Sequence, residues 1–160
     1  MSVLGHVVAK CTAKVAVLIF SKNAKVTGGK QTRVVLKTPA DWCDYYGVKV
    51  VRGVATLFKA VDDDYSTDKA RRTNVSYKPG KKPVAPDWDG GKAECGGGLH
   101  FSPTQAMARA FNNTNKFVAC QVRLKDMRAP KYDDRYPEKI KAKCVCKPIY
   151  EVNEDGERLK

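Results

Sequence analysis

The chain has 160 residues, of which 42% are hydrophobic and 29% are charged, and 30 Lys and Arg against 17 Asp and Glu give a net charge of +13. This composition excludes a disordered chain, and the length predicts one domain with a substantial core. The excess of positive charge predicts a negatively charged partner, such as nucleic acid or a phosphorylated ligand.

The N-terminal part is basic and rich in β-branched residues, with no acidic residue before Asp41. Residues 7–20 predict one or two strands, residues 27–30 a turn, and residues 32–37 the returning strand of a hairpin. The apolar run at 15–20 is too short to cross a membrane, so neither a signal peptide nor a membrane partner is predicted. We therefore expect a cytoplasmic protein whose six cysteines are reduced thiols.

The next segment carries the signals of a short helix and of two strands. Thr38 and Pro39 are typical of the N-cap and the first position of a helix, which we expect to end at residue 46, before Gly47. Residues 48–61 predict two strands separated at Arg52 and Gly53. Residues 66–94 carry no periodic pattern and predict an irregular loop.

Nine residues beginning at Cys95 combine three glycines, a histidine and a predicted helix start. Ser102 is typical of an N-cap, with Pro103 and Gln105 in the first turn of a helix over residues 102–112. Helix N-termini and glycine amides bind anions, so these residues predict a ligand site, although a tightly built corner of the fold would explain the same pattern. The predicted ligand-binding residues are Gly96, Gly97, Gly98, His100 and Ser102.

Two further strands are predicted, over residues 116–124 and 138–152. In the second, alternation places Ile140, Ala142, Cys144 and Cys146 on an inward face. The opposite face would carry a lysine stripe that could follow a phosphate backbone, or merely protect a sheet edge from aggregation. The predicted anion-binding or nucleic-acid-binding residues of this stripe are Lys139, Lys141, Lys143 and Lys147.

These elements predict an α+β fold, with a mostly antiparallel, curved sheet and one or two short helices packed on it. We expect a single domain over residues 1–152, with a β-rich N-terminal portion (1–49) and a core (50–152). The polar tail, residues 153–160, is expected to fray. The cysteine and histidine spacings match no common zinc site, so no metal and no cofactor are predicted.

Several segments together resemble an uncharacterised domain family of actinobacteria and their phages. The motif Cys95-x-x-Gly98-Leu99-His100-x-Ser102, followed by a helix with Ala108, carries most of this resemblance. Residues 57–61, 77–80, 117–124 and 139–142 are similar to the family's other segments, so the resemblance covers about residues 50–150. It implies an architecture and a phage or bacterial setting, but no reaction.

A more distant resemblance is to folds of the ADP-ribosyltransferase type. Arg52, Ser102 and Glu138 could occupy the places of that site, which implies an enzyme that uses a nicotinamide dinucleotide. The Glu-x-Glu pair typical of such enzymes is absent from the sequence. No catalytic residue is therefore assigned.

The leading hypothesis is a small basic binding protein of phage or bacterial type that takes an anionic partner and is not an enzyme. The first alternative is the ADP-ribosyltransferase-like enzyme. The second is a structural or host-interaction protein without a small-molecule site.

Overall fold

The computed structural model describes residues 2–3, 8–12, 14–19, 24–34, 36–91, 93–131 and 134–159. The fold is α+β, with mostly antiparallel sheets in the core and short helices, as the sequence predicts. None of the helices in these ranges is long and apolar enough to span a bilayer.

The N-terminal strands pair with one another in parallel, so the predicted hairpin around residues 27–30 is wrong. The chain does turn at Gly28 and Gly29, both with positive φ, but the strands on either side join different sheets. Val17, Ile19 and Ala24 form a small apolar cluster of their own. Parts of the predicted strands, residues 7, 13, 20 and 35, lie outside the described residues. The strands are β1 (Ser2–Val3), β2 (Val8–Lys10), β3 (Ala16–Ile19), β4 (Lys25–Thr27) and β5 (Lys30–Arg33), paired β2–β4 and β1–β3–β5.

Helix α1 (Pro39–Tyr45) confirms the prediction made from its cap. The Thr38 hydroxyl accepts a hydrogen bond from the Asp41 amide at 3.1 Å, and the Asp41 carboxylate accepts one from the Thr38 amide at 2.9 Å. This reciprocal pair satisfies two amides that the helix leaves unpaired. Gly47, at φ +65°, redirects the chain into the core strands.

The remaining elements form the core of the molecule. Strands β7 and β9 are antiparallel over their full length, and the predicted separation of the first two core strands at Arg52 and Gly53 is confirmed by a turn with positive φ at both residues. The elements are β6 (Val50–Val51), β7 (Val54–Ala60), α2 (Asp68–Thr73), β8 (Leu99–Phe101), α3 (Gln105–Arg109), β9 (Phe117–Arg123), a 3₁₀ turn (Leu124–Asp126), β10 (Met127–Arg128), β11 (Ile140–Ala142) and β12 (Tyr150–Val152).

Two core sheets meet at one pair of residues. The first sheet has the order β12–β9–β7–β6 and the second the order β10–β11–β8. Phe58 of β7 and Ser102, which follows β8, exchange two backbone hydrogen bonds of 2.9 Å. Beyond this pair the two strands separate, and the space between them is open to side chains.

The main apolar cluster lies between the two core sheets and α1. It includes Trp42, Leu57, Phe101, Val122 and Ile140, all fully or almost fully buried. A second cluster, around Ala60, Ala108 and Phe117, packs α3 on the opposite face of the first sheet. Because both faces of β9 are thereby covered, Ala119 is buried, although alternation alone predicts it to be exposed.

Three further predictions differ from the structure. The irregular segment 66–94 contains α2. The single strand predicted over 138–152 is two short strands, because the chain leaves the sheet after Ala142, and Cys144 and Cys146 lie half-buried between them. Residues 153–159 of the tail fold back on β12, with the Asn153 amide donating to the Glu157 carbonyl and the Leu159 amide donating to the Glu151 carbonyl.

Candidate functional site

The three glycines lie against acidic residues, which disfavours the predicted anion site at their amides. The Gly98 amide donates to the Asp87 carboxylate at 3.1 Å. A methyl group on Gly97 would lie 1.4 Å from the Asp87 carbonyl oxygen, and one on Gly96 would lie 2.4 Å from the Asp89 carboxylate. The glycines are therefore explained by close packing of the chain on residues 87–89.

The helix after this segment begins later than predicted. Thr104, and not Ser102, caps α3, because its hydroxyl accepts a hydrogen bond from the Met107 amide at 3.2 Å. Ser102 still has extended backbone and pairs with Phe58. The helix has five residues rather than the predicted eleven positions of 102–112, so it is too short to carry the anion site that we expected at its N-terminus.

Strands β8 and β11 divide their side chains between two faces, as alternation predicts. Phe101 and Ile140 face each other in register and belong to the main apolar cluster. Lys141 is paired with His100 in the same register, so both side chains belong to the other face. This second face, which also carries Ser102 and Lys139, is the outer face of the second sheet.

Two lysines of the predicted stripe are buried on this outer face rather than exposed. Residues 88–91 and 93–96 lie over it, and the Lys141 ammonium is 3.3 Å from the Asp89 carboxylate and also contacts the Ala93 carbonyl. The Lys139 ammonium is 3.1 Å from the Cys95 sulfur. Lys139 is 9% exposed and Lys141 is 6% exposed. Since only Lys143 and Lys147 remain exposed, the continuous lysine stripe is not formed.

The outer face leads into a cavity of about 250 Å³ at the place where β7 and β8 separate. Three cationic side chains line it, from three different elements: Lys59 of β7, Arg72 of α2 and Lys139 before β11. Asp68 supplies the single carboxylate among its lining residues. The other lining residues are Phe58, Ala60, Thr67, His100, Phe101, Ser102, Ala108, Phe111 and Asn112.

Two of these cations contact uncharged groups of the described chain. The Lys59 ammonium donates to the His100 carbonyl at 3.0 Å and lies 4.8 Å from the centre of the Tyr77 ring. The Lys139 ammonium lies 4.8 Å from the centre of the Tyr136 ring and 5.7 Å from that of Phe111. Rings orient an ammonium group without neutralising its charge, so the cavity keeps a positive character.

The residues placed by analogy with ADP-ribosyltransferases are not brought together. Arg52 lies in the turn between β6 and β7 and does not line the cavity, whereas Ser102 does. Glu138 lies near Tyr46, where its charge and the burial of the phenol raise the Tyr46 pKa, burial being the larger cause. The three side chains therefore do not form one site.

The cysteines do not form a metal site in the part of the chain that the structure describes, where no three metal-ligating side chains cluster. No disulfide joins any of the six, all of which lie in the described ranges. Burial raises the pKa of Cys43 to about 11 and that of Cys120 to about 12, which keeps both thiols protonated and unreactive at neutral pH.

Asp89 anchors the segment that covers the outer face. We therefore expect the stability of the fold at acidic pH to depend on this carboxylate. Its carboxylate accepts a hydrogen bond of 2.7 Å from the Gly91 amide, and this bond, with Lys141, lowers the Asp89 pKa from 3.8 to about 2. A carboxyl with a lowered folded-state pKa stabilises the fold above its unfolded pKa and loses that contribution as the pH falls. We expect the melting temperature to fall between about pH 4 and pH 2 more steeply for the wild type than for Asp89→Asn. Parallel curves for the two proteins would contradict this assignment.

Comparisons with family models, with curated proteins and with solved structures find no match to this chain.

The cavity contains residues that the sequence did not single out. The sequence does contain a signal that could have identified Lys59, since this charged residue interrupts the apolar strand 54–61. Arg72, Phe111 and Asn112 had none, because their approach to Ser102 depends on how α2 and α3 pack around β7.

Proposed function

We propose that the protein binds a small phosphorylated ligand in the cavity between β7, β8, α2 and α3. Lys139 carries this proposal. This lysine lies in the cavity wall and is 9% exposed, and no carboxylate of the described residues lies within ion-pairing distance of its ammonium group. Removing an ammonium group from water is costly unless an anion compensates for it, and a bound phosphate would do so.

The charges around the cavity favour an anion over a neutral ligand. Lys59 lies on β7, Lys139 immediately precedes β11, and Arg72 reaches the same space from α2. Arg72 is exposed and has no ion-pair partner among the residues with described positions. A guanidinium and two ammonium groups around one space are the side chains that proteins use to bind phosphate oxygens.

The apolar part of the lining favours a phosphorylated organic molecule over inorganic phosphate. Phe58, Ala108 and Phe111 supply carbon surface beside the cations, and Ser102 and Asn112 supply hydrogen-bonding groups. Ligand sites typically combine apolar walls with a few polar groups that orient the ligand. The volume of about 250 Å³ is larger than a phosphate ion requires. A phosphorylated metabolite of about the size of a nucleoside monophosphate meets both conditions.

This proposal replaces the lysine stripe as the place where the anion binds. It keeps His100, Ser102 and Lys139 from the predicted site residues, and it leaves out the glycine amides, Lys141, Lys143 and Lys147. The protein remains, in this proposal, a basic binding protein of phage or bacterial type rather than an enzyme.

The experiment compares pairs of compounds that differ only in the phosphate group, for example adenosine 5′-monophosphate and adenosine. We expect the phosphorylated member to raise the melting temperature and to bind in calorimetry, and the parent compound to do neither. Arg72→Gln should weaken binding about tenfold, since a hydrogen bond to a charged group contributes about 1.5 kcal/mol.

The matched control is Lys125→Gln, which removes one exposed positive charge on the 3₁₀ turn. It should leave the affinity unchanged. Equal binding of both members of every pair, or no binding by a panel of phosphorylated sugars, nucleotides and cofactors, would refute the proposal.

A further inference from the structure

The first core sheet has one face that the rest of the described chain covers only in part. Helix α3 packs over Ala60, Phe117 and Ala119 at one end of that face. The other end, around Thr56 and Gln121, remains open and forms a groove of about 810 Å³. Its lining includes Lys49, Arg52, Thr56, Gln121, Lys147 and Tyr150.

The lining of this groove is cationic. Lys49, Arg52 and Lys147 are exposed, and none of the three has an ion-pair partner among the described residues. None of the residues that line the groove is acidic. Of the carboxylates next to lining residues in the chain, Glu151 accepts a hydrogen bond from the Tyr65 hydroxyl, Glu157 accepts one from Asn153, and Asp155 is exposed. The groove therefore has an unbalanced positive charge.

The groove contains an aromatic ring and hydrogen-bonding side chains, which are the groups with which proteins contact nucleic-acid bases. Tyr150 is half-buried, with the Arg158 guanidinium 5.0 Å from its ring centre, so an aromatic ring and a fourth cation lie together. Thr56 and Gln121 are half-buried, directly paired residues of β7 and β9, and both can donate and accept hydrogen bonds.

We propose that this groove binds single-stranded nucleic acid. Exposed cations along a groove neutralise phosphates, and an aromatic ring on a sheet stacks on a base without strong sequence preference. The three cations favour a polyanion over an apolar peptide as the occupant of the groove, because an apolar peptide would cover them without supplying negative charges. The groove and the cavity share only Phe58 in their linings, so this site is separate from the one under Proposed function.

The experiment measures fluorescence anisotropy of a labelled oligothymidylate and a labelled oligouridylate of about 12 nucleotides. We expect binding that weakens with salt, with a slope of about −2 in a plot of log K against log salt if three phosphates are neutralised. The triple variant Lys49→Glu/Arg52→Glu/Lys147→Glu should lose more than about tenfold in affinity at moderate salt. Tyr150→Leu should lose about fivefold or more with the salt slope unchanged, because stacking does not depend on charge.

The control has the same change in net charge on another basic surface. Lys14, Lys25 and Lys30 are exposed in the N-terminal part, and their triple exchange to Glu should reduce affinity less than about threefold. Equal losses in the two triple variants would show binding by net charge alone and would overturn the proposal, as would tighter binding of a duplex of the same length. Melting curves of each variant confirm that it folds. Lys139→Met should bind the oligonucleotides as the wild type does, so that failure of one site does not imply failure of the other.

Discussion

Replacing Lys139 with methionine is expected to weaken binding of the phosphorylated ligand about thirtyfold while leaving the fold as stable as before or more stable. Methionine keeps the length and the apolar stem of the side chain, whose ammonium group lies close to the Phe111 and Tyr136 rings. Removing an ammonium group that has no carboxylate partner should change the free energy of unfolding by about 0 to +2 kcal/mol. Losing the charged contact to the phosphate should cost about 2 kcal/mol of binding, or about thirtyfold in Kd.

Denaturant unfolding and calorimetry on the same preparations measure these two effects. Lys143→Met is the matched control, because Lys143 is exposed just after β11 and loses the same charge. It should change neither quantity by a measurable amount. A lower stability of Lys139→Met with unchanged ligand affinity would show that Lys139 is a structural residue, and the phosphate-binding assignment would then be wrong.

Replacing Trp42 with alanine is expected to produce the largest loss of stability in the molecule. The side chain of Trp42 is fully buried, and its indole nitrogen donates a hydrogen bond of 2.8 Å to the Pro137 carbonyl. Deleting a buried tryptophan leaves a large cavity and costs about 4 kcal/mol. Because Pro137 precedes β11, the same contact ties α1 to the segment that carries Lys139.

Urea unfolding of three variants separates packing from hydrogen bonding. Trp42→Phe keeps most of the apolar volume and loses the indole donor, so it should cost about 1 to 2 kcal/mol. Tyr45→Ala, in the same helix but 38% exposed, should cost less than about 1 kcal/mol. A loss for Trp42→Ala no larger than that for Tyr45→Ala would contradict the described core.

Short-range signals predicted several elements correctly. Thr38, Pro39 and Asp41 lie within four residues of one another, so their capping contacts do not depend on distant parts of the chain. Arg52 and Gly53 likewise make a turn whose geometry depends on their own backbone angles. In both cases the interactions that decide the local structure are local in sequence.

Where two signals competed, a contact distant in sequence decided between them. Ser102 and Thr104 are both good N-cap residues, and the sequence alone favours Ser102 because Pro103 follows it. The backbone hydrogen bonds from Ser102 to Phe58 keep Ser102 extended, so the helix begins two residues later. The hairpin predicted around Gly28 and Gly29 failed similarly, because β4 and β5 each found another partner.

The candidate site shows the same division. Alternation along residues 139–142 is sufficient to place Lys139 and Lys141 on one face of the strand and Ile140 and Ala142 on the other, since successive side chains of a strand point to opposite faces. Whether that polar face meets water was decided only by the tertiary structure, in which residues 88–91 and 93–96 cover it. The periodicity of a strand reports which residues share a face. It carries no information about a segment from elsewhere in the chain that packs on that face, and here that packing buries two lysines of the expected surface stripe, of which Lys139 also lines the cavity.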